Sequence, residues 1–168
     1  MIKDGQMLYL DSKFMEVALP IIEHKEYQQM RYIKHHDESV FEHSMKVAYR
    51  AYQIAYKRNL DWKSTIRGAL LHDFFLYKFK KCFSLRIITD SIKHTIVHPI
   101  IAFENAVKYF ELNKKEENII KGHMFPFGFP KSREAWIVSF VDKYIAVFEY
   151  SSNFKKMLFG KQPAFQSE

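Results

Sequence analysis

Apolar residues recur at the three- and four-residue spacing of a helix along nearly the whole chain, and strand signals are almost absent. Such a pattern confines the chain to an all-α fold, in which helical stripes bury one another. In "SVFEHSMKVAYRAYQIAYKRN" the Ser39 and Glu42 pair has capping-box spacing, and Val47, Ala51, Ile54 and Ala55 follow at helical period. The spacing predicts a helix from about Val40 to Lys57. Asp61 caps the next, where Trp62, Ile66, Ala69 and Leu70 form a stripe ending in "LLHDFF". Pro99 suits the first turn of a helix over "PIIAFENAVKYFEL", since the N–H it lacks would be unpaired there anyway; His98 then lies at that helix's N-terminus. A shorter helix around "EENIIKGH" carries His123 at its end, "MFPFGFPK" reads as a loop, and Ser132 caps a last long helix through "REAWIVSFVDKYIAVFEY". With a charged N-terminal helix this makes a compact bundle of about six helices.

The length, 168 residues, suits one domain with a sizeable core, and no linker or internal repeat divides it. The expected core runs from about 35 to 150, with a loosely held tail from Phe154 to Glu168. Cys82 is the only cysteine, so an intramolecular disulfide and a cysteine-only zinc site are excluded. No apolar run is long enough to span a membrane and "MIKDGQMLYLDSK" lacks the pattern of a signal peptide, so a soluble cytoplasmic protein is expected. The net charge of +7 favours anionic partners, but the basic residues are spread out. The densest group, Lys78, Lys80 and Lys81, reads as a solvated helix end, and specific nucleic-acid binding is not expected.

Polar, metal-competent residues stand where the helical periodicity calls for apolar ones. His43 lies beside the stripe of the first long helix, His72 and Asp73 interrupt "ALLHDFFL", and Asp142 shares a face with Val138 and Ile145. An unpaired carboxylate at such a place costs several kcal/mol in desolvation. One shared cation satisfies both carboxylates, and imidazole with carboxylate suits Fe, Mn, Co, Ni or Zn better than Ca. Each residue alone has a plainer reading: His43 as a hydrogen-bonded core histidine, Asp142 as a surface partner of Arg133 or Lys143. The adjacent His72 and Asp73 are harder to explain that way. Neighbours on a helix do not share a face, so both reach one ion only where the helix ends.

The set "FEHSMKVA", "GALLHDFF" and "SFVDKYIA" resembles the HD-domain superfamily of metal-dependent phosphohydrolases, through His43, His72, Asp73 and Asp142 in that order. Between the doublet and the last Asp, "HPIIAFENA" with His98 and "IIKGHMFPFGFP" with His123 resemble the two further histidine segments of the two-metal branch related to the HD-GYP proteins. The resemblance covers roughly residues 35 to 150 and is closest to small stand-alone members. It implies one or two divalent transition metal ions, held by His43, His72, Asp73 and Asp142 with His98 and His123 reaching a second ion that Asp73 bridges. It further implies His72 and Asp73 as the catalytic pair and hydrolysis of a small phosphorylated substrate, a nucleotide or a relative of one. An iron-dependent oxygenase and a degenerate metal-stabilised binding module are the alternatives within the superfamily.

The chain departs from that pattern at two places. His123 is followed by Met124 where the two-metal branch commonly has a second histidine, and the doublet by Phe74, Phe75 and Leu76 where Ile-Gly-Lys is usual. The lysine expected near the substrate phosphate is therefore missing from its place, and Lys46, Arg50 or Lys78 are candidates to replace it. His35, eight residues before His43, is a further candidate for the site. His24, His36 and His94 are read as structural or solvent-facing. The loop after His123, with Phe125, Phe127 and Phe129, is tied at both ends to ligand-bearing helices, so it is expected at the entrance. Lys131 and Arg133 at its far end are candidates for the substrate phosphate; the plainer reading is that the three rings cap the core.

Overall fold

A computed structural model of the chain describes residues 11–35, 38–76 and 87–159, with the side chains of 34–35, 87–95 and 148–159 left aside. It is all-α, with seven α-helices among the described residues. They are α1 (Ser12–Ile22), α2 (Lys25–Gln28), α3 (Val40–Lys57), α4 (Trp62–Leu71), α5 (Ile87–Tyr109), α6 (Lys114–Gly122) and α7 (Arg133–Phe159). A 3-10 turn (Gln29–Tyr32) and a two-residue antiparallel ladder, β1 (Lys34–His35) with β2 (Glu38–Ser39), lead into α3. No described helix is long and apolar enough to cross a membrane.

The helix starts are chemical. Ser39 Oγ accepts from Glu42 N at 3.2 Å while Glu42 Oε2 accepts from Ser39 N at 2.9 Å, a closed capping box that sets the first residue of α3. Asp61 accepts from Ser64 N at 3.1 Å to start α4. Asn113 and Glu116 make a second capping box for α6, and Ser132 Oγ takes Ala135 N at the head of α7. Once started, α3 buries Val40, His43, Val47, Ala51 and Ala55 along one stripe, so the cap also decides which residues face inward.

α4 lies against α1, α3, α6 and α7, and its Ile66, Ala69, Leu70 and Leu71 are fully buried. The approach of α6 is close. A Cβ on Gly68 would stand 2.8 Å from Ile119 Cδ1, so glycine is what lets the two helices meet. Tyr27, fully buried, donates from its hydroxyl to Leu70 O at 2.9 Å and pins the end of α4 to α2.

One expectation is corrected. Pro99 is not in a first turn: α5 begins at Ile87 and runs through it, so His98 sits in a helix interior. An interior proline costs about 3 kcal/mol in an isolated helix. Pro99 is buried and α5 packs on α6, so tertiary contact carries the helix past a break that local sequence rules require. From Phe154, where the expected tail begins, α7 continues to Phe159, and 160–168 lie outside the described residues. His36, Cys82 and the lysines at 78, 80 and 81 also lie outside them, as do the side chains of His35 and His94. His24 is the N-cap of α2, accepting from Glu26 N at 3.3 Å, with its ring against Tyr109 and Phe110.

Candidate metal centre

Four helices and one turn bring six side chains to one point. His43 comes from the end of the first turn of α3, His98 from the interior of α5, His123 from the C-cap of α6 and Asp142 from the third turn of α7. His72 is the C-cap of α4 and Asp73 the residue after it. All six are buried. His72 and Asp73 converge because α4 stops at Leu71: Phe74 N bonds Leu71 O at 3.2 Å and Phe75 N bonds Asp73 O at 2.7 Å. That turn brings Asp73 Oδ2 to 3.5 Å from His72 Nε2.

Asp142 Oδ1 lies 3.0 Å from His43 Nε2 and 3.6 Å from His72 Nε2. Asp73 Oδ1 lies 3.4 Å from His98 Nε2 and 3.6 Å from His123 Nε2, while those two nitrogens are 2.9 Å apart. Asp73 thus presents one oxygen to His72, near Asp142 and His43, and the other to His98 and His123. Three sets within the cluster, His43/His72/Asp73, His72/His123/Asp142 and Asp73/His98/His123, each place their donor atoms within 4.8 Å of one another.

The donor atoms are oriented by hydrogen bonds on their far side. His72 Nδ1 donates to Ala69 O and His123 Nδ1 to Ile120 O, both at 2.7 Å; a carbonyl only accepts, so each Nδ1 carries its proton and, in the neutral ring, each Nε2 turns a lone pair inward. The His123 carbonyl in turn accepts from Ser139 Oγ at 2.6 Å and Lys143 Nζ at 2.7 Å. Glu38 stands 3.9 Å from His43 Nδ1 and pairs with Lys46.

The residues fit a divalent cation on three grounds. His72 Nε2 and Asp73 Oδ1 are buried with no hydrogen-bond partner, a costly condition that cation binding at these atoms removes. The separations between donors, from 2.9 to 3.6 Å, match the edges of an octahedral or tetrahedral shell. With metal–ligand bonds of about 2.1 Å those edges are about 3.0 and about 3.4 Å. The donor set, imidazole and carboxylate, is that of first-row divalent ions. Buried His and Asp groups able to hold metal ions are therefore present.

Electrostatics without the ion points the same way. Burial alone would lower the His72 pKa, but the Asp73 and Asp142 carboxylates outweigh it and push it up to about 9, so a proton takes the cation's place. Burial and the His72 charge push His123 down to about 3, leaving it neutral. Burial would raise both carboxyls; the neighbouring histidines hold Asp73 and Asp142 below the usual carboxylate range instead.

A family model described as HD domain matches residues 40–147, from the first residue of α3 to past Asp142. The chain belongs to the HD domain family. No curated protein and no solved structure matches it. The matched span holds all six clustered residues.

Of the expected basic residues, Lys46 is joined to the cluster through Glu38, and among the described residues no contact brings Arg50, Lys131 or Arg133 to it. Lys46 pairs with Glu38, and Arg50, exposed, donates to Gln53 Oε1 at 3.1 Å. Lys131 is exposed, its backbone N donating to Asn118 Oδ1 at 2.8 Å. Arg133 is nine residues before Asp142 on α7, about 13 Å along the axis, and lines a groove with Arg58, Leu60, Trp136, Ile137 and Phe140. The backbone of His35 pairs with Glu38 in the ladder. Phe125 and Phe129 neither cap the core nor wall the metal cluster: their rings lie 5.1 and 5.9 Å from Trp136 on the outside of α7. Phe127 lines a cavity of about 140 Å³ with Ile96, Pro99, Ile100 and Met124. The apolar wall beside the centre is Phe75, buried, with its ring 6.2 Å from His98.

Sequence reasoning passes over Glu38 and Ser139, and it offers Lys143 only as a surface partner of Asp142. Lys143 is not a surface partner of Asp142 but half-buried, and burial lowers its pKa despite the Asp142 charge. The available signal was the Ser139–Lys143 spacing of four beside Asp142, which puts both on one side of α7.

Proposed function

We propose that this chain is a metal-dependent phosphohydrolase acting on a phosphate ester of a nucleotide or related small molecule, with two ions of Fe, Mn, Co, Ni or Zn. The observation that carries the reading is Asp73, whose Oδ2 faces His72 and whose Oδ1 faces His98 and His123, with His72 Nε2 and Asp73 Oδ1 buried and without a hydrogen-bond partner. HD family membership supports it.

In this reading His43, His72, Asp142 and Asp73 hold one ion, and Asp73, His98 and His123 the other. Bound divalent ions lower the pKa of water to about 7 and draw charge from a phosphoryl oxygen. Asp73, with an oxygen on each side, orients the attacking water. The hydrogen bonds from His72 and His123 to Ala69 O and Ile120 O keep both rings in place, so no reorganisation is needed when substrate arrives. Phe75 keeps the His98 side apolar. Phosphate release from a panel of nucleotides and sugar phosphates, with Mn or Co added, tests the assignment. Release abolished by Asp73→Asn supports it. Iron-dependent oxygen uptake without phosphate release would replace it with an oxygenase, and metal binding with no turnover would leave a binding module.

A further inference from the structure

Trp136, Phe140, Tyr144 and Val147 follow one another on α7 at steps of four, four and three residues, which is a single stripe of a helix. It is the outward stripe. Phe140 is 63% exposed, Tyr144 65% and Val147 69%, while Val138, Val141 and Asp142 face the core. The charged residues between Glu134 and Val147 are Asp142, which is buried, and Lys143, which is turned to the His123 carbonyl. The outward stripe therefore carries no charge from Trp136 to Val147, the reverse of an ordinary solvated helix face.

The apolar surface continues beyond the helix. The Trp136 and Phe140 rings stack at 5.5 Å, Phe125 and Phe129 pack on Trp136, and Phe129 is 63% exposed. Taking about 200 Å² for a whole aromatic side chain, the exposed parts of Phe125, Phe129, Phe140, Tyr144 and Val147 amount to about 550 Å². Two such surfaces facing each other remove about 1,100 Å² from water before any polar rim is counted, which reaches the threshold of a specific interface.

The stripe is also nearly symmetric about residue 142. An antiparallel copy related by a two-fold axis there sets Phe140 against Tyr144 and Trp136 against Val147, and does so twice. That is the self-complementarity of a closed two-fold contact. We propose that the outward face of α7, with Phe125 and Phe129, is the interface of a homodimer in which two α7 helices pack antiparallel across Phe140 and Tyr144.

Sedimentation velocity on the full chain, from about 1 to about 100 μM, tests this. The expected species has twice the 20.2 kDa chain mass. Phe140→Glu is expected to weaken the dimer at least about a hundredfold, as loss of a central aromatic contact on both copies should. Tyr32→Glu, at a residue 78% exposed in the 3-10 turn before α3, is expected to leave it intact. If Phe140→Glu lowers the melting temperature, Tyr144→Arg gives the same readout at a second exposed position. A monomer across the whole range overturns the proposal, whether the stripe is then covered by residues 160–168 of the same chain or by a different protein. A dimer that survives both substitutions overturns it as well.

Discussion

His72 and Asp73 are adjacent in sequence, yet His72 Nε2 and Asp73 Oδ2 point at the same space, 3.5 Å apart. On a continuing helix neighbours diverge by about 100°. Here α4 ends one residue before His72, the chain turns through Asp73, and Tyr27 holds the last turn by Leu70 O. The doublet works as a unit because it straddles a helix end.

The first expectation is the metal itself. Protein purified without chelator under anaerobic conditions is expected to carry at least about half an equivalent of a first-row transition metal per chain, as measured by elemental analysis. His72→Ala is expected to lose it, because Nε2 of that residue lies between Asp73 and Asp142. Chelation of the wild type should lower its melting temperature, since an ion that binds the folded state stabilises it by mass action. Equal metal content in wild type and variant would remove His72 from the centre.

Lys143 is expected to act on the centre through His123. Its ammonium donates to His123 O at 2.7 Å and to Ser139 Oγ at 3.1 Å, and Ser139 donates to the same carbonyl. Lys143→Met is expected to weaken metal affinity about tenfold, the lower end for loss of an outer partner, and the double variant with Ser139→Ala more. Competition titration against a coloured chelator reads the affinity directly. Melting changed with affinity unchanged would make Lys143 a packing residue alone.

Acid stability should depend on Glu134, whose carboxylate accepts from Lys115 Nζ at 2.9 Å and from Asp61 N at 3.1 Å. Burial would raise its pKa, but the Lys115 and backbone bonds outweigh that and hold it below the ordinary value. A folded pKa below the unfolded value, about 4.3, means a contribution fully present above that pH and lost as pH falls through the folded pKa. Melting temperatures followed by circular dichroism from neutral to acid pH should therefore fall less steeply for Glu134→Gln than for wild type, the difference shrinking toward acid. Parallel curves would show that the pair adds no pH-dependent stability.

Much of the frame was legible because its signals are local. The Ser39–Glu42 box and the Asp61 cap mark the starts of α3 and α4 within a few residues, and the polar interruptions at His43, His72, Asp73 and Asp142 fall where stripes turn inward. Pro99 departs from expectation for the same reason: its local rule is sound, and packing of α5 on α6 overrides it. The spacing of Ser139 and Lys143 puts them on one side of α7, but their partner is the backbone carbonyl of His123, a group every residue has and whose position only the fold determines.

Arg133 provides the last test, because its spacing makes it a candidate for the substrate phosphate and the fold places it nine residues before Asp142 on the same helix. It opens α7, and Asp142 lies nine residues on, about 13 Å along the axis. A guanidinium reaches about half that distance, and Arg133 lines a groove with Arg58 and Trp136. For the best phosphorylated substrate of the panel, Arg133→Ala is expected to leave KM within about twofold of wild type, less than about 0.5 kcal/mol in binding. Steady-state kinetics at low and at moderate salt checks this. A tenfold rise in KM at both salts would mean that the phosphate is held from the α7 start, with the substrate stretched from the metals across the outside of the helix. An unchanged KM leaves the phosphate to groups nearer Asp142, of which Lys143 is the adjacent cation.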